Sequence, residues 1–148
     1  MFRGVSFHTI DQKGRVIIPA RFRDLIRNGG GDGVMLAQMD KCLFGYTYDY
    51  WNIIEQNVLS MSNKDQLYRQ LRRFFIGTAS DCSFDKQYRV LIPPSLRDYA
   101  ELEKEIVLVG VLKSFEVWSR EKWDLENEKM KDDLADEDVL KEISKLGL

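Results

Sequence analysis

The chain has 148 residues, of which 44% are hydrophobic and 31% are charged, and its formal net charge is −2. This length suits one ordinary domain or two very small ones, and the composition is typical of a soluble globular protein. The longest apolar runs are strand-sized, far below the ~20 residues of a membrane span, and the N-terminus shows no apolar signal segment, which argues against a membrane or secreted protein.

In chain order, the first half shows signals for strand, turn, strand, helix, two strands and helix. A first strand ends near Asp11, and "DQKG" predicts a β-turn, because Asp can bond its own backbone and Gly tolerates positive φ. The β-branched "RVIIP" predicts the next strand, which Pro19 closes before the short helix "ARFRDLI". Strands at "VMLAQMD" and "CLFGYTY" and a helix headed by Trp51 complete this half.

The second half repeats these signals. "DQKGRVIIPARFRD" at 11–24 returns as "DKQYRVLIPPSLRD" at 85–98, with seven of fourteen positions identical. Residues 34–51 similarly align with 106–123, which places Trp51 over Trp123. The duplication predicts two similar halves related by a pseudo-two-fold axis.

Four segments follow from this pattern, at 1–60, 61–74, 75–131 and 132–148. The first and third are the repeats, and the second is a connecting helix. The fourth is an amphipathic helix with an acidic outer face. We expect it to pack on the body of the protein or on a partner, with a detached solvated arm as the alternative.

Enzyme chemistry has little support in this sequence. His8 is the single histidine and lies on a predicted strand, so no histidine pair can bind a metal. Cys42 and Cys82 have neither metal-ligand spacing nor a disulfide framework, which predicts buried free thiols. Asp11 and Asp85 each precede an arginine by four residues, which favours structural, ion-paired carboxylates over a general acid. We therefore expect no catalysis, no cofactor and no metal.

The charge distribution is more informative than the net charge. Residues 1–27 hold six Lys/Arg against two Asp/Glu, and residues 64–97 hold seven against three, so each block carries +4. These are the two blocks that contain the repeated phrase, and a phosphate backbone responds to such local basic fields. Lys13 and Arg15 would project near the hairpin tip, with Gly14 allowing close approach to a phosphate. The equal alternative is that Asp11 and Arg15 pair only to hold the hairpin.

"MFRG", "DQKGRVIIPARFR", the duplicated "D…R…IPPSLR" and the tryptophan-headed helices resemble the bacterial MraZ family over nearly the whole chain. The resemblance implies an α+β fold of duplicated AbrB-like swapped-hairpin β-barrel halves with flanking helices. It also implies a cytoplasmic, nucleoid-associated regulator, usually a repressor, of the division and cell-wall gene cluster. Such proteins form ring-shaped homo-oligomers that bind repeated boxes in double-stranded promoter DNA. A non-catalytic assembly module and a small-molecule-binding barrel are the alternative functions.

The resemblance implies DNA contact through the first turn, with Lys13 and Arg15 as leading residues. The full set of expected DNA-binding residues is Arg3, Lys13, Gly14, Arg15, Lys86 and Arg89. The expected structural residues at turns and strand ends are Asp11, Asp85, Pro19 and Pro93.

Tyr88 departs from the family pattern, which usually keeps glycine between Asp and Arg in both halves. Because tyrosine disfavours positive φ, the second turn is expected to have a different type or a wider tip. It would then be the weaker DNA contact, and Tyr88 would instead stack against a neighbouring protomer.

Overall fold

The computed structural model describes residues 1–148. Its strands are β1 (Phe2–Thr9), β2 (Arg15–Ile17), β3 (Gly33–Met39), β4 (Cys42–Tyr46), β5 (Ser80–Ser83), β6 (Arg89–Leu91), β7 (Glu105–Leu112) and β8 (Phe115–Ser119). Its helices are α1 (Ala20–Asn28), α2 (Tyr48–Leu59), α3 (Gln66–Leu71), α4 (Pro94–Tyr99), α5 (Arg120–Asp133) and α6 (Glu137–Ser144). A π-helical turn, Arg72–Ile76, continues α3. The alternation of helices and strands in two matching halves confirms the duplicated α+β fold.

The two halves exchange their first strands. The large antiparallel sheet has the order β1-β7-β8-β4-β3-β5, and β2 and β6 form a separate two-stranded ribbon. β1 of the first half pairs with β7 of the second along its whole length, and β5 of the second half pairs with β3 of the first. The pseudo-two-fold axis passes through the facing pairs Val16–Val90 and Phe44–Glu116. The swapped pairing therefore occurs within one chain.

One hydrophobic core lies between the large sheet and the ribbon. It contains 18 buried residues drawn from both halves. Three phenylalanines at its centre meet with ring centroids 5.2–5.5 Å apart: Phe2 from β1, Phe22 from α1 and Phe115 from β8. Because each half contributes side chains that only the other half can cover, we infer that the two repeats fold as one cooperative unit.

The outer face of the large sheet is covered by the tryptophan-headed helices. In the first half, Trp51 of α2 packs 5.7 Å from the Tyr46 ring and 5.6 Å from Phe75 of the π-helical turn. In the second half, Trp123 of α5 lies 6.2 Å from Trp118. The aligned tryptophans thus occupy matching places, but only the first is also covered by a segment that follows its helix.

The helices that follow each repeat begin later than the sequence predicted. The connecting segment 61–74 becomes helical at Gln66, where the Asp65 side chain accepts a hydrogen bond from the Leu67 N–H. The tail 132–148 does not form one helix, because Asp136 begins a new one by capping the backbone N–H groups of Asp138 and Val139. No residue of the resulting helix α6 is buried. Within one chain the tail therefore corresponds to the alternative of a solvated arm rather than to a helix packed on the body.

Both cysteines are free and buried, as the sequence predicted. Burial raises the pKa of the Cys82 thiol to about 11 and raises that of Cys42 as well. At neutral pH both side chains are therefore protonated and unreactive.

None of the six helices combines the length and the apolar character that crossing a membrane requires.

Candidate nucleic-acid interface

Asp11 organises the first turn through both of its carboxylate oxygens. Oδ1 accepts hydrogen bonds from the backbone N–H groups of Lys13, at 3.0 Å, and Arg15, at 2.9 Å. Oδ2 accepts from the Arg15 Nε–H at 2.6 Å. The Gly14 N–H closes the turn by donating to the Asp11 carbonyl at 3.0 Å. One carboxylate therefore holds both the backbone of the turn and the guanidinium beside it.

Asp85 repeats this arrangement in the second turn. Its Oδ1 accepts from the backbone N–H groups of Gln87 and Arg89, and its Oδ2 accepts from the Arg89 Nε–H at 2.8 Å. The Tyr88 N–H donates to the Asp85 carbonyl at 3.0 Å, the distance found at Gly14. The expectation of a different turn type or a wider tip is therefore wrong, and Tyr88 adopts φ +59° where Gly14 adopts +91°.

Two arginines of α1 explain how tyrosine is tolerated at positive φ. The Arg23 and Arg27 guanidinium groups lie 4.2 and 4.8 Å from the centroid of the Tyr88 ring. Each cation–π contact contributes about 0.5–1 kcal/mol, which offsets the roughly 1–2 kcal/mol cost of left-handed backbone. Tyr88 thus has its stacking partners within its own chain rather than requiring those of a neighbouring protomer.

Gly14 makes room for a protein side chain. Arg97, the counterpart of Arg23 in the second repeat, lies over the first turn and donates its Nε–H to the Ile92 carbonyl at 2.9 Å. A Cβ atom on Gly14 would fall 2.7 Å from that nitrogen. Both turns therefore carry an arginine from a neighbouring helix. The glycine and the tyrosine positions are thus both covered by arginine side chains.

The two turns form one surface. The Ile92 N–H donates to the Gly14 carbonyl at 2.8 Å, and the Ile18 N–H donates to the Tyr88 carbonyl at 3.1 Å. Arg89 Nη1 also lies 4.0 Å from Asp11 Oδ2, so one arginine faces both aspartates.

Lys13, Arg15, Lys86 and Arg89 of the predicted set lie on these two adjoining turns, which we call the paired-turn surface. Both lysines are exposed, whereas the two arginines are about one-third and one-quarter exposed. The structure thus brings together four cations that are separated by up to 76 positions in the sequence.

Pro19 and Pro93 end the two ribbon strands and cap the helices that follow. Both have φ near −60°, and their carbonyl oxygens accept the first hydrogen bonds of α1 and α4. They have no N–H to donate, so they stop the strand pairing at this point. Their position fits the structural role expected of them.

Arg3 is exposed but lies away from the other candidates. It occupies the beginning of β1, six residues before Thr9, which corresponds to about 20 Å along a strand. The structure does not bring Arg3 to the paired-turn surface.

Sequence reasoning missed the arginines beside the turns. Arg23, Arg27 and Arg97 are not among the residues that the sequence predicted at the turns. The only local signal was the four-residue spacing of Arg23 and Arg27, which places them on the same face of α1.

The basic cluster at the end of α3 has a structural explanation. Arg72 donates to the carbonyl oxygens of Val58 and Met61, at 2.7 and 2.9 Å, and Arg69 donates to the Asn63 carbonyl. These side chains close the loop between α2 and α3. We therefore do not include them in the paired-turn surface.

The turn aspartates make stability depend on pH. Backbone hydrogen bonds from Arg15 and Arg89 hold the pKa of Asp11 and of Asp85 below the ordinary value of 3.8. The ionised carboxylates therefore stabilise the fold above pH 3.8, and this contribution is lost as the pH falls through the lower folded-state pKa. We expect Asp11→Asn and Asp85→Asn to unfold at lower urea concentration than the wild type near neutral pH. The difference should shrink as the pH falls below 3.8 and through the lower folded-state pKa.

The exposed Asp132→Asn in α5 is the control for loss of one negative charge. Its urea midpoint should follow that of the wild type at every pH. A gap between wild type and Asp11→Asn that stayed constant from neutral to acid pH would contradict a stabilising role for the ionised turn carboxylates.

Comparison with known proteins finds matches to a single family over both halves of the chain. A family model described as "MraZ protein, putative antitoxin-like" matches residues 1–74 and again 75–140. A protein of Desulforapulum autotrophicum is 57% identical over 148 residues, and one of Desulfosudis oleivorans is 51% identical over 149 residues, each with both chains covered completely. A protein of Ligilactobacillus salivarius is 45% identical over 141 residues, which are 92% of this chain and 95% of that protein. All three relatives are named Transcriptional regulator MraZ.

Proposed function

Because the chain belongs to the MraZ family, we propose that it is a transcriptional regulator that binds double-stranded DNA through the paired-turn surface. The observation that carries this proposal is that two hydrogen-bonded turns place Lys13, Arg15, Lys86 and Arg89 together. The function so described requires binding and no catalytic step.

The two kinds of cation have different roles in this proposal. Lys13 and Lys86 are exposed, so they are suited to phosphate contacts that set the position of the protein on the duplex. Arg15 and Arg89 are held by hydrogen bonds from their Nε–H groups, and Arg89 Nη1 approaches Asp11 only to 4.0 Å, so the terminal amino groups would be able to donate to a base. Arginine pairs in this way with O6 and N7 of guanine in the major groove, which a two-stranded ribbon can enter.

The finer proposal concerns the target and the location. We extend the family resemblance to repression of the division and cell-wall gene cluster, through repeated boxes in the promoter. A protein that acts on chromosomal DNA in this way would be found in the cytoplasm, associated with the nucleoid.

Salt dependence tests the phosphate contacts. We expect the chain to bind DNA from upstream of its own gene, with an affinity that falls steeply as salt rises. Lys13→Ala and Lys86→Ala should each lower the slope of log affinity against log salt by about one. Fluorescence anisotropy with a labelled duplex measures this, and Lys129→Ala on the exposed face of α5 is the control.

Two results would count against the proposal. If the wild type does not bind at low salt, the assembly-module alternative is favoured. If binding occurs but neither turn lysine alters the slope, the phosphate contacts lie elsewhere on the protein.

Assembly into a ring is the further part of the proposal. One protomer offers four turn cations, and several protomers engaging repeated boxes would gain affinity through high effective concentration. Helix α6 supports self-association, because none of its apolar residues is buried: Val139 and Ile143 are half-buried and Leu140 is exposed within one chain. The segment that follows the first repeat differs, because its π-helical turn buries Phe75 within the chain.

We expect light scattering to give a mass that is a multiple of 17.3 kDa, and Leu140→Glu to reduce that mass without lowering the helix content. Lys141→Glu, on the neighbouring polar position, should keep the wild-type mass. If Leu140→Glu also keeps the wild-type mass, α6 is not part of the assembly interface.

A further inference from the structure

The ribbon of β2 and β6 exposes two large aliphatic side chains beside its arginines. Side chains alternate along a strand, and Val16 and Val90 point into the core. The flanking residues therefore point outward, and among them Ile17 is 55% exposed and Leu91 is 53% exposed. Outward positions on a half-buried strand are usually polar, yet both repeats carry an aliphatic residue here.

The register places each aliphatic residue opposite an arginine. Ile17 faces Arg89 across the ribbon, and Leu91 faces Arg15. Directly opposed side chains have Cβ atoms about 4.5–5.5 Å apart. Since the pseudo-two-fold axis passes between Val16 and Val90, these four residues form two equivalent pairs on one outward face. A ligand that reaches the two arginines would also meet the two aliphatic side chains.

The surrounding charge identifies the occupant of this face. Lys13 and Lys86 lie on the turns that adjoin it, so the aliphatic pair is surrounded by cations. Burying such cations against an apolar protein surface would be unfavourable, because they would lose hydration without gaining partners. A polyanion that also presents apolar groups suits the face better. The major groove of DNA does so, because thymine alone among the four bases carries a methyl group there.

We propose that Ile17 and Leu91 are specificity-determining residues that contact thymine C5-methyl groups in the major groove. This inference rests on the proposed function. It adds recognition of thymine to the recognition of guanine proposed for the arginines. The spacing is suitable, because side chains two positions apart on a strand are separated by about 6.6 Å, close to two base steps. Arg15 with Ile17, and Arg89 with Leu91, would each read a guanine and a nearby thymine.

Removing the methyl groups from the DNA tests this inference. Promoter duplexes are prepared in which each thymine in turn is replaced by uracil, which lacks the C5-methyl group. Their affinities are measured by fluorescence anisotropy. We expect the wild type to bind about fourfold more weakly for each contacted methyl that is removed. Ile17→Ala and Leu91→Ala should bind thymine DNA more weakly but should no longer distinguish thymine from uracil at the site each residue contacts.

Ile53→Ala is the matched control, because Ile53 on α2 is 53% exposed and lies outside the ribbon. It should retain the wild-type ratio of thymine to uracil affinity. All three variants replace exposed side chains, so they should melt close to the wild type.

The outcomes separate this inference from the proposed function. No binding to any duplex would contradict both. Equal wild-type affinity for thymine and uracil DNA would overturn the methyl contacts while leaving DNA binding intact. A preference for thymine that persists in both ribbon variants would also overturn them. The methyl contacts would also be overturned if Ile17→Ala changed the mass of the assembly in solution but kept the wild-type preference for thymine over uracil. That result would identify the face as a contact between copies of the chain.

Discussion

Arg15→Ala is expected to lower the affinity for promoter DNA by about 10- to 100-fold, the loss that follows from removing one bidentate base contact. The Asp11 carboxylate adds to the loss, because it loses its hydrogen bond from Arg15 and keeps only the more distant Arg89 guanidinium, 4.0 Å away, to offset its charge near the phosphates. Arg89→Ala is expected to have an effect of similar size, since the second turn has the same hydrogen bonds as the first. Fluorescence anisotropy at a fixed, moderate salt concentration measures both.

The control for this pair is Arg73→Ala, which removes an exposed arginine outside the paired-turn surface. It should bind as the wild type does. The turn variants should also melt near the wild-type temperature, because partly exposed ion pairs contribute only about 0–1 kcal/mol. Wild-type affinity in Arg15→Ala would show that the first turn does not contact DNA. Wild-type affinity in both variants would show that the ribbon is not the DNA-binding site.

Phe115→Ala is expected to lower the free energy of unfolding by about 3–5 kcal/mol, the range found for buried phenylalanines. Phe115 is fully buried, and its ring meets Phe2 at 5.4 Å and Phe22 at 5.5 Å. These partners come from the first repeat, so the truncation opens a cavity where the halves meet. Urea unfolding followed by circular dichroism measures the change, which is a large part of a typical domain's net stability.

Phe7→Ala is the matched control on a strand, because that side chain is 57% exposed. We expect it to change the free energy of unfolding by less than about 1 kcal/mol. Phe115→Leu keeps most of the volume and should give an intermediate value, which remains measurable if the alanine variant does not fold. Similar effects at Phe7 and Phe115 would contradict a single core shared by the two repeats.

Several local features were predictable because their interactions span only a few residues. The Asp–Arg spacing predicted the ion pair at the base of each turn, and the structure shows it at 2.6 Å in the first and 2.8 Å in the second. The β-branched run before each proline predicted β2 and β6. The prediction of a different turn type at Tyr88 was wrong. The positive φ of this residue depends on stacking with Arg23 and Arg27, which lie on a helix 61 or more positions earlier.

By itself, the sequence determined that the chain is duplicated, where its strands and helices follow one another, and which short-range hydrogen bonds build the turns. These features depend on side-chain period, on turn chemistry and on groups four residues apart. Only the tertiary structure decided that β1 and β5 exchange halves, that both turns join in one surface, and that Arg3 lies apart from it. Those outcomes depend on which apolar faces cover one another across about a hundred residues, and no local pattern encodes that choice.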